Sequence, residues 1–329
     1  MKRNLAVSRR EASQMLLALG LSALSPALYA RPEWPGQPIR LVLGWPPGGG
    51  ADVMARIVSQ ALNERISQPV LIENRSGASG NIATTQVVRA PPDGYTFLLG
   101  PSTQVTANPF LFNMDSSAVN SLEPFAALGR FQLYLILRKD FPAQNLKELI
   151  AHAQANPRKV TYASAGPGSP PHLVAEMFLK QADVTALHVP YRGSAAALQA
   201  VLAGETDFAI DPGISFPHVH AGNLKLLAIT SKERSAAFPN VPTMIEAGLS
   251  AMDFDTWICL WAPRQTPPEI LKRFSNELRE VLGTESVKAQ FSKLGGEARY
   301  MDGADISQTL HREADAFSTL IKELNLNLA

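Results

Sequence analysis

The chain has 329 residues, 46% of them hydrophobic and 18% charged, which is enough apolar material for buried cores and too much for a disordered chain. Thirty Lys and Arg against 29 Asp and Glu leave a net charge of +1, without the basic excess of a nucleic-acid binder. A single cysteine, Cys259, rules out an internal disulfide framework and any multi-cysteine zinc site. The six histidines form no metal-ligand spacing. The expectation is a two-lobed protein with no metal and no cofactor.

Residues 1–30 read as an export signal rather than as part of the fold. Lys2, Arg3, Arg9 and Arg10 form a basic region, followed by an apolar run from Met15 to about Ala23. That run is shorter than the ~20 residues a spanning helix needs, and Gly20 and Pro26 interrupt it. Cleavage is open to either Ala27 or Ala30. Ser8-Arg9-Arg10 resembles a twin-arginine signal, and the general secretory route stays equally open. Loss of 1–30 removes four basic and one acidic residue and leaves a net charge of −2. The expected location is the periplasm, free of an anchor.

From Ile39 onward, short β-type runs alternate with helical ones. Ile39 to Leu43 reads as a buried strand. Val53, Met54, Ile57, Val58, Ala61, Leu62 and Ile66 then form a 3.6-period stripe. Val70 to Glu73 is a second strand, a helix runs to about Arg89, and Tyr95 to Leu99 is a third strand. This βαβαβ order predicts a parallel sheet covered by helices. The rhythm restarts with strands at Val160–Ala163, Ala186–Val189, Asp207–Ile210 and Leu224–Ile229, and with helices at Leu173–Gln181 and Ser194–Leu202. Two α/β sheets follow, one in each lobe. Phe125 to Arg138 and Phe254 to Trp261 are long and apolar without helical punctuation, and they read as crossovers out of the first lobe and back. The tail is expected to hold three helices, Pro268–Leu282, Ser286–Leu294 and Ala304 to about Leu324. These readings place lobe 1 at 31–130 and 256–329 and lobe 2 at 131–255.

Ligands of open α/β sheets sit where strands give way to helix N-termini. Here those loops are rich in Gly, Ser, Thr and Pro. Trp45 to Asp52, with Pro47, Gly48 and Gly49, is either a backbone cradle for a carboxylate or a tight turn with Asp52 as N-cap. No GxxxxGK[ST] or GxGxxG accompanies it, which disfavours phosphate. Gly100 to Thr103 offers the Ser102 hydroxyl to the same cleft or simply caps a helix. Ser164-Ala165-Gly166 and Ser169 open a helix in the second lobe with the same physics, although Pro170 and Pro171 bring no N–H. Arg192, next to Gly193, either meets a carboxylate or stays in solvent. Asp211 either faces the cleft or caps its own turn. His172, His188, His218 and His220 read as packing or surface residues. Cys259 reads as a buried small hydrophobe.

Trp34-Pro35, Pro38-Ile39-Arg40, Pro46-Pro47-Gly48-Gly49, Glu73-Asn74-Arg75 with Gly77 and Gly80-Asn81, Pro92-Asp93-Gly94-Tyr95-Thr96, Tyr162-Ala163-Ser164-Ala165-Gly166, His188 to Gly193 and Pro239 to Gly248 occur in one order. That order resembles the Bug-type family, the substrate-binding receptors of tripartite tricarboxylate transporters. The resemblance runs from about Trp34 to the C-terminal helix. It implies a type II-like periplasmic binding protein fold, two lobes on a two-strand hinge closing on a small carboxylic acid like a Venus flytrap. Trp45–Asp52 and Ser164–Pro170 match the loops that clamp the carboxylate, and Asp211 matches an acidic residue of the cleft. Gly44-Trp45 stands where Pro-Phe is more usual, and Pro212 where Asn is more common. The implied partners are transporter subunits, or alternatively a membrane sensor kinase, with the receptor a monomer. A hydrolase or transferase is the remote alternative, since no GxSxG elbow is present.

Overall fold

The computed structural model describes residues 34–112, 119–326 and 328, so the export signal lies outside the described residues. Residues 37–329 form one unit, and Trp34 to Gly36 belong to a separate short segment. The first strand, β1 (Ile39–Leu43), is an apolar run buried at all but one position. It feeds α1 (Gly50–Asn63), whose Met54, Ala55, Val58 and Leu62 form the buried stripe that the periodicity predicts. Next come β2 (Val70–Asn74), α2 (Asn81–Val88), β3 (Thr96–Pro101), and the short helices α3 (Thr103–Thr106) and α4 (Asn108–Leu111). A long strand, β4 (Leu122–Gln132), then runs almost directly into β5 (Tyr134–Arg138).

The chain continues through α5 (Leu146–Ala155), β6 (Thr161–Ser164), α6 (Pro170–Gln181), β7 (Leu187–Pro190), α7 (Ser194–Ala203), β8 (Phe208–Asp211), α8 (Phe216–His220) and β9 (Leu224–Ile229). It closes with β10 (Asp255–Pro263), α9 (Pro268–Gly283), α10 (Glu285–Ser292), β11 (Gly296–Asp302) and α11 (Gly303–Glu323). Two sheets result. One has six strands in the order β11-β4-β10-β3-β1-β2, and the other five in the order β7-β6-β8-β5-β9. The chain leaves the first sheet at Gln132, enters the second at Tyr134, and is back in the first by Asp255.

Neither sheet is purely parallel. β2 and β3 flank β1 in parallel, but β10 runs antiparallel to both β3 and β4, and β5 antiparallel to β8 and β9. The strands that leave and return must point opposite ways, so the parallel reading holds only for the βαβ portions. The tail also contains a strand the sequence reading lacked: β11, between α10 and α11, pairs antiparallel with the edge of β4.

Side-chain alternation gives each sheet two cores. On one face of the first sheet, Val42, Leu98, Cys259 and Trp261 pack with Ile306 and Leu310 of α11. On the other, Phe97 stacks on Phe274 of α9 at 5.2 Å and meets Phe125 at 5.1 Å between ring centroids. In the second sheet, Ile136, Ala163 and Ala209 pack beneath Ala197, Leu198 and Val201 of α7. Its opposite face carries Tyr162 and Phe208, with Phe178 edge-on. With both faces covered, the strand ends and their loops face each other across the gap between the sheets.

Candidate functional site

The loop from β1 to α1 is shaped by Asp52. This residue is the third of α1, not its N-cap, which is Gly49 in extended conformation. Its carboxylate accepts the Gly48 N–H at 3.0 Å, two hydrogen bonds from Arg56 and one from Asn74 at 2.9 Å. Burial works to raise its pKa, but the bonds from Arg56, Asn74 and Gly48 hold it below the usual carboxylate value. Asn74 also donates to the Trp45 carbonyl at 2.9 Å. The loop is thus fixed before any ligand arrives. The amide of Gly48 is spent inside it, whereas the first-turn amides of α1 have no partner within the helix.

The facing loop in the second sheet is equally braced. Ser164 is fully buried; its hydroxyl meets His188 Nε2 at 2.7 Å and accepts the Gly166 N–H at 3.1 Å. Ser169 is the N-cap of α6, taking the His172 amide while donating to the Gly166 carbonyl. His172 Nδ1 accepts the Gly168 amide, and its ring stacks on His188 at 4.3 Å. Burial pushes His172 down to about 3 and His188 down to about 4, so both stay neutral. These histidines support the loop, a role invisible in sequence because Ser164 and His188 are 24 positions apart. Ser164 is fully buried, and neither it nor His188 lines the cavities where the loops meet.

Two cavities lie where the loops meet. The small one, of about 40 Å³, is lined by Gly49, Gly50 and Ala51 of α1, Gly193 and Ser194 of α7, and Pro170 at the start of α6. Three helix N-termini therefore converge on a space for about three or four water-sized groups, at ~10–15 Å³ each. The large cavity, about 640 Å³, adjoins it through shared walls at Trp45, Pro46, Ala165 and Gly193. Its further walls include the 76–79 turn, Phe112, Gly166, Tyr191 and Arg192. Arg192 is exposed and is the one charged side chain among the described residues lining either cavity.

The loops touch across the gap. The Ser79 hydroxyl donates to the Pro167 carbonyl, and a Cβ on Gly193 would stand 2.4 Å from Pro46 Cγ. Gly193 also has φ +95°, so both its conformation and its neighbour require glycine. On the first-sheet side, a Cβ on Gly44 would stand 2.4 Å from Gly80 Cα, which lets the 76–80 turn pack onto the end of β1.

Of the residues singled out in the sequence, Trp45, Gly49, Ala165, Gly166, Arg192 and Gly193 line the cavities. Pro47 is exposed and, like Gly48, is not among the lining residues. Ser102 turns into the core of the first sheet, bonded through its amide to the Trp257 carbonyl. Ser164 and Ser169 brace their loop from within. Asp211 caps its own turn, accepting Gly213 N–H, Ser215 N–H and the Ser215 hydroxyl, and burial pushes it up to about 6. The sequence reading lacked the 76–79 turn, Phe112 and Tyr191 as cavity walls; Gly77 and Gly80 were the signal that the chain turns sharply there. Among the described residues no group of three or more His, Cys, Asp or Glu is arranged to hold a metal, and no helix is long and apolar enough to cross a membrane.

Two α/β sheets, double-backed strands between them and helix N-termini facing one gap define a two-lobed binding protein. Residues 54–326 match the model of the tripartite tricarboxylate transporter family receptor, and the chain belongs to this family of receptors, which are not enzymes. It is 33% identical to protein BugT of Bordetella pertussis over 80% of this chain and 81% of that one. Among solved structures, Rpa4515 of R. palustris with adipate shares 30% identity over 89% of this chain and 99% of that one, at a TM-score of 0.85. The periplasmic binding protein BugD shares 29% identity over the same fractions, at 0.84.

Proposed function

We propose that the mature chain is a periplasmic solute receptor. Its lobes, 31–130 with 256–329 and 131–255, close on a small organic carboxylate and present it to the membrane subunits of a tripartite tricarboxylate-type transporter. The carboxylate head sits in the small cavity and the rest of the ligand in the large one. Export by the 1–30 segment and action as a monomer belong to the same proposal.

The observation that carries it is the convergence of the α1 and α7 N-termini on a space of carboxylate size, with the α6 N-terminus adding its dipole but no free amide, since it begins with Pro170 and Pro171 and its His172 amide is bound to Ser169. Helix N-termini present unpaired amides and the positive end of the helix dipole, which together suit an anion. Charge-assisted hydrogen bonds contribute ~1.5–3 kcal/mol each. A few of them, less the cost of ordering and desolvation, suffice for micromolar binding at about −8 kcal/mol. Ligand that touches both lobes favours the state in which all contacts exist, so binding and closure are one equilibrium. The adipate bound to Rpa4515 supports the ligand class.

The test is a thermal-shift panel of mono- and dicarboxylates against wild type and Gly49→Val. Gly49 has φ −80°, and the atom nearest a Cβ there is the Pro46 carbonyl oxygen at 4.0 Å, so the substitution fits the backbone. Gly49 lines the small cavity, so the added branches are expected to narrow it. A few acids should raise the wild-type melting temperature, and none should raise that of Gly49→Val. Stabilisation by sugars or amines and by no acid refutes the reading.

A further inference from the structure

Beyond α11 the chain turns back to the large cavity. Asn325 has φ +49°, in the left-handed region, and its amide bonds the Lys322 carbonyl at 3.1 Å while the Leu326 amide bonds the Ile321 carbonyl at 3.0 Å. These are the two bonds of a Schellman turn, and asparagine is among the few residues besides glycine that suit its left-handed position. Past the turn, the Leu328 amide donates to the Leu111 carbonyl at 2.8 Å. That carbonyl belongs to the peptide group of Phe112, so Leu328 and Phe112 are neighbours in one stretch of wall, and both line the large cavity. The stretch also meets the second lobe: a Cβ on Gly168 would stand 3.0 Å from Phe112 Cε2 and 3.2 Å from Leu111 Cδ1. Leu328 is half-buried and held in place at both ends, by the turn behind it and by Leu111 in front.

We propose that Leu328 is a specificity-determining residue: with Phe112 it forms the wall that sets how long a carboxylic acid the closed receptor accepts. This rests on the carboxylate reading above. Neither residue lines the small cavity, so both belong to the part of the site that holds a ligand beyond its carboxylate head. Both are apolar and suit hydrocarbon. A methylene that packs against such a wall leaves water, which tightens binding roughly fourfold when its burial is complete. A methylene with no space left must push the wall aside or hold the lobes apart, and either reverses the gain. Affinity therefore climbs with chain length and then turns down. The position of the maximum reports where the wall stands, and a residue anchored through its own amide keeps the wall from yielding.

The experiment titrates two series of straight-chain acids by calorimetry, the monocarboxylates from butanoate to decanoate and the α,ω-dicarboxylates from succinate to sebacate. In wild type, at least one series should show a maximum of affinity within its range. Leu328→Ala should move that maximum to acids about two or three carbons longer, the length of side chain removed. Leu328→Trp should move it to shorter ones. The control is Leu326→Ala, in the same segment, at a half-buried residue that lines neither cavity. It loosens the segment without touching the wall and should leave the maximum where it was. Acids that bind wild type with no maximum, or a maximum unmoved in both Leu328 variants, overturn the role of Leu328 and leave the carboxylate reading standing. A maximum moved as far by Leu326→Ala as by Leu328→Ala overturns it likewise, because the side chain at 328 is then not what the ligand meets. If wild type binds no acid of either series, the carboxylate reading falls and takes this one with it.

Discussion

Gly50 separates the energetics of the closed state from those of the fold. A methyl group there would stand 2.9 Å from Pro212 Cβ and 3.3 Å from the Pro212 carbonyl oxygen. Gly50 opens α1 over the first sheet, whereas Pro212 follows β8 in the second. The ring of Pro212 cannot rotate away, so Gly50→Ala obliges the two loops to part by several tenths of an ångström. Overpacking of this kind costs ~1–3 kcal/mol. The cost falls on the closed state alone, because in a separated state the methyl has no counterpart across the gap. Linkage converts it to a roughly 5- to 150-fold weaker affinity for whichever acid stabilises the wild type best. Meanwhile the ligand-free protein should melt no lower, since alanine favours helix over glycine by up to about 1 kcal/mol. Calorimetry gives the affinity, and small-angle scattering with and without the acid gives the compaction. Unchanged affinity with unchanged compaction would refute the argument. So would a ligand-free melting temperature lower by several degrees, because that would put the strain in a state populated without ligand.

Three further outcomes are expected. On the carboxylate reading, Arg192→Gln should weaken a dicarboxylate about 2- to 5-fold relative to the monocarboxylate of equal length, because the exposed guanidinium offers the large cavity the one cationic contact among its described lining residues; calorimetric losses equal for both acids would count against it. His172 and His188 are depressed to about 3 and about 4 in the fold but titrate near 6.5 in the unfolded chain, so the unfolded state binds protons first. The stability they confer is complete above about pH 6.5 and drains away as the pH falls through about 4 toward 3. A melting curve measured against pH should show that slope, and His188→Asn should flatten it. Phe274→Ala empties a fully buried ring site stacked on Phe97 and should cost ~3–5 kcal/mol in urea unfolding, with ligand preference unchanged.

The parts of this molecule legible in sequence are those set by local periodicity. The apolar run of β1, the stripe on α1 and the two punctuation-free segments at 125–138 and 254–261 each carry their own pattern, and the structure places a strand or a helix on each. Strand direction is different, since it depends on which end of a sheet the chain re-enters; nothing within Asp255 to Pro263 says that β10 runs against β3. β11 escaped notice because Glu297, Arg299 and Asp302 give it the charged look of an edge strand, and an edge strand hides its pairing. At the site, the glycine-rich loops were readable but their accounting was not. Gly48 and Gly49 are adjacent and alike in sequence, yet one amide is bound to Asp52 and the other belongs to the residue capping an open helix end. Ser102, Ser164 and Asp211 have the chemistry of ligand contacts, and the structure assigns them to support: Ser102 is fully buried, Ser164 is bonded to His188, 24 residues on, and Asp211 is spent on its own turn at Gly213 and Ser215.

Five prolines, Pro46, Pro101, Pro170, Pro171 and Pro212, line the small cavity beside the open helix ends. Rings of this kind carry no amide proton and hold their φ angles, so under the proposed function the polar grip on an acid would come from the main-chain groups between them, set in a stiff frame. Main-chain atoms are common to every residue type. If the proposed function holds, point mutations that change what the outer chamber accepts can accumulate while the hold on the acidic end persists, and a lineage built this way can diversify its diet without first losing its appetite for anions.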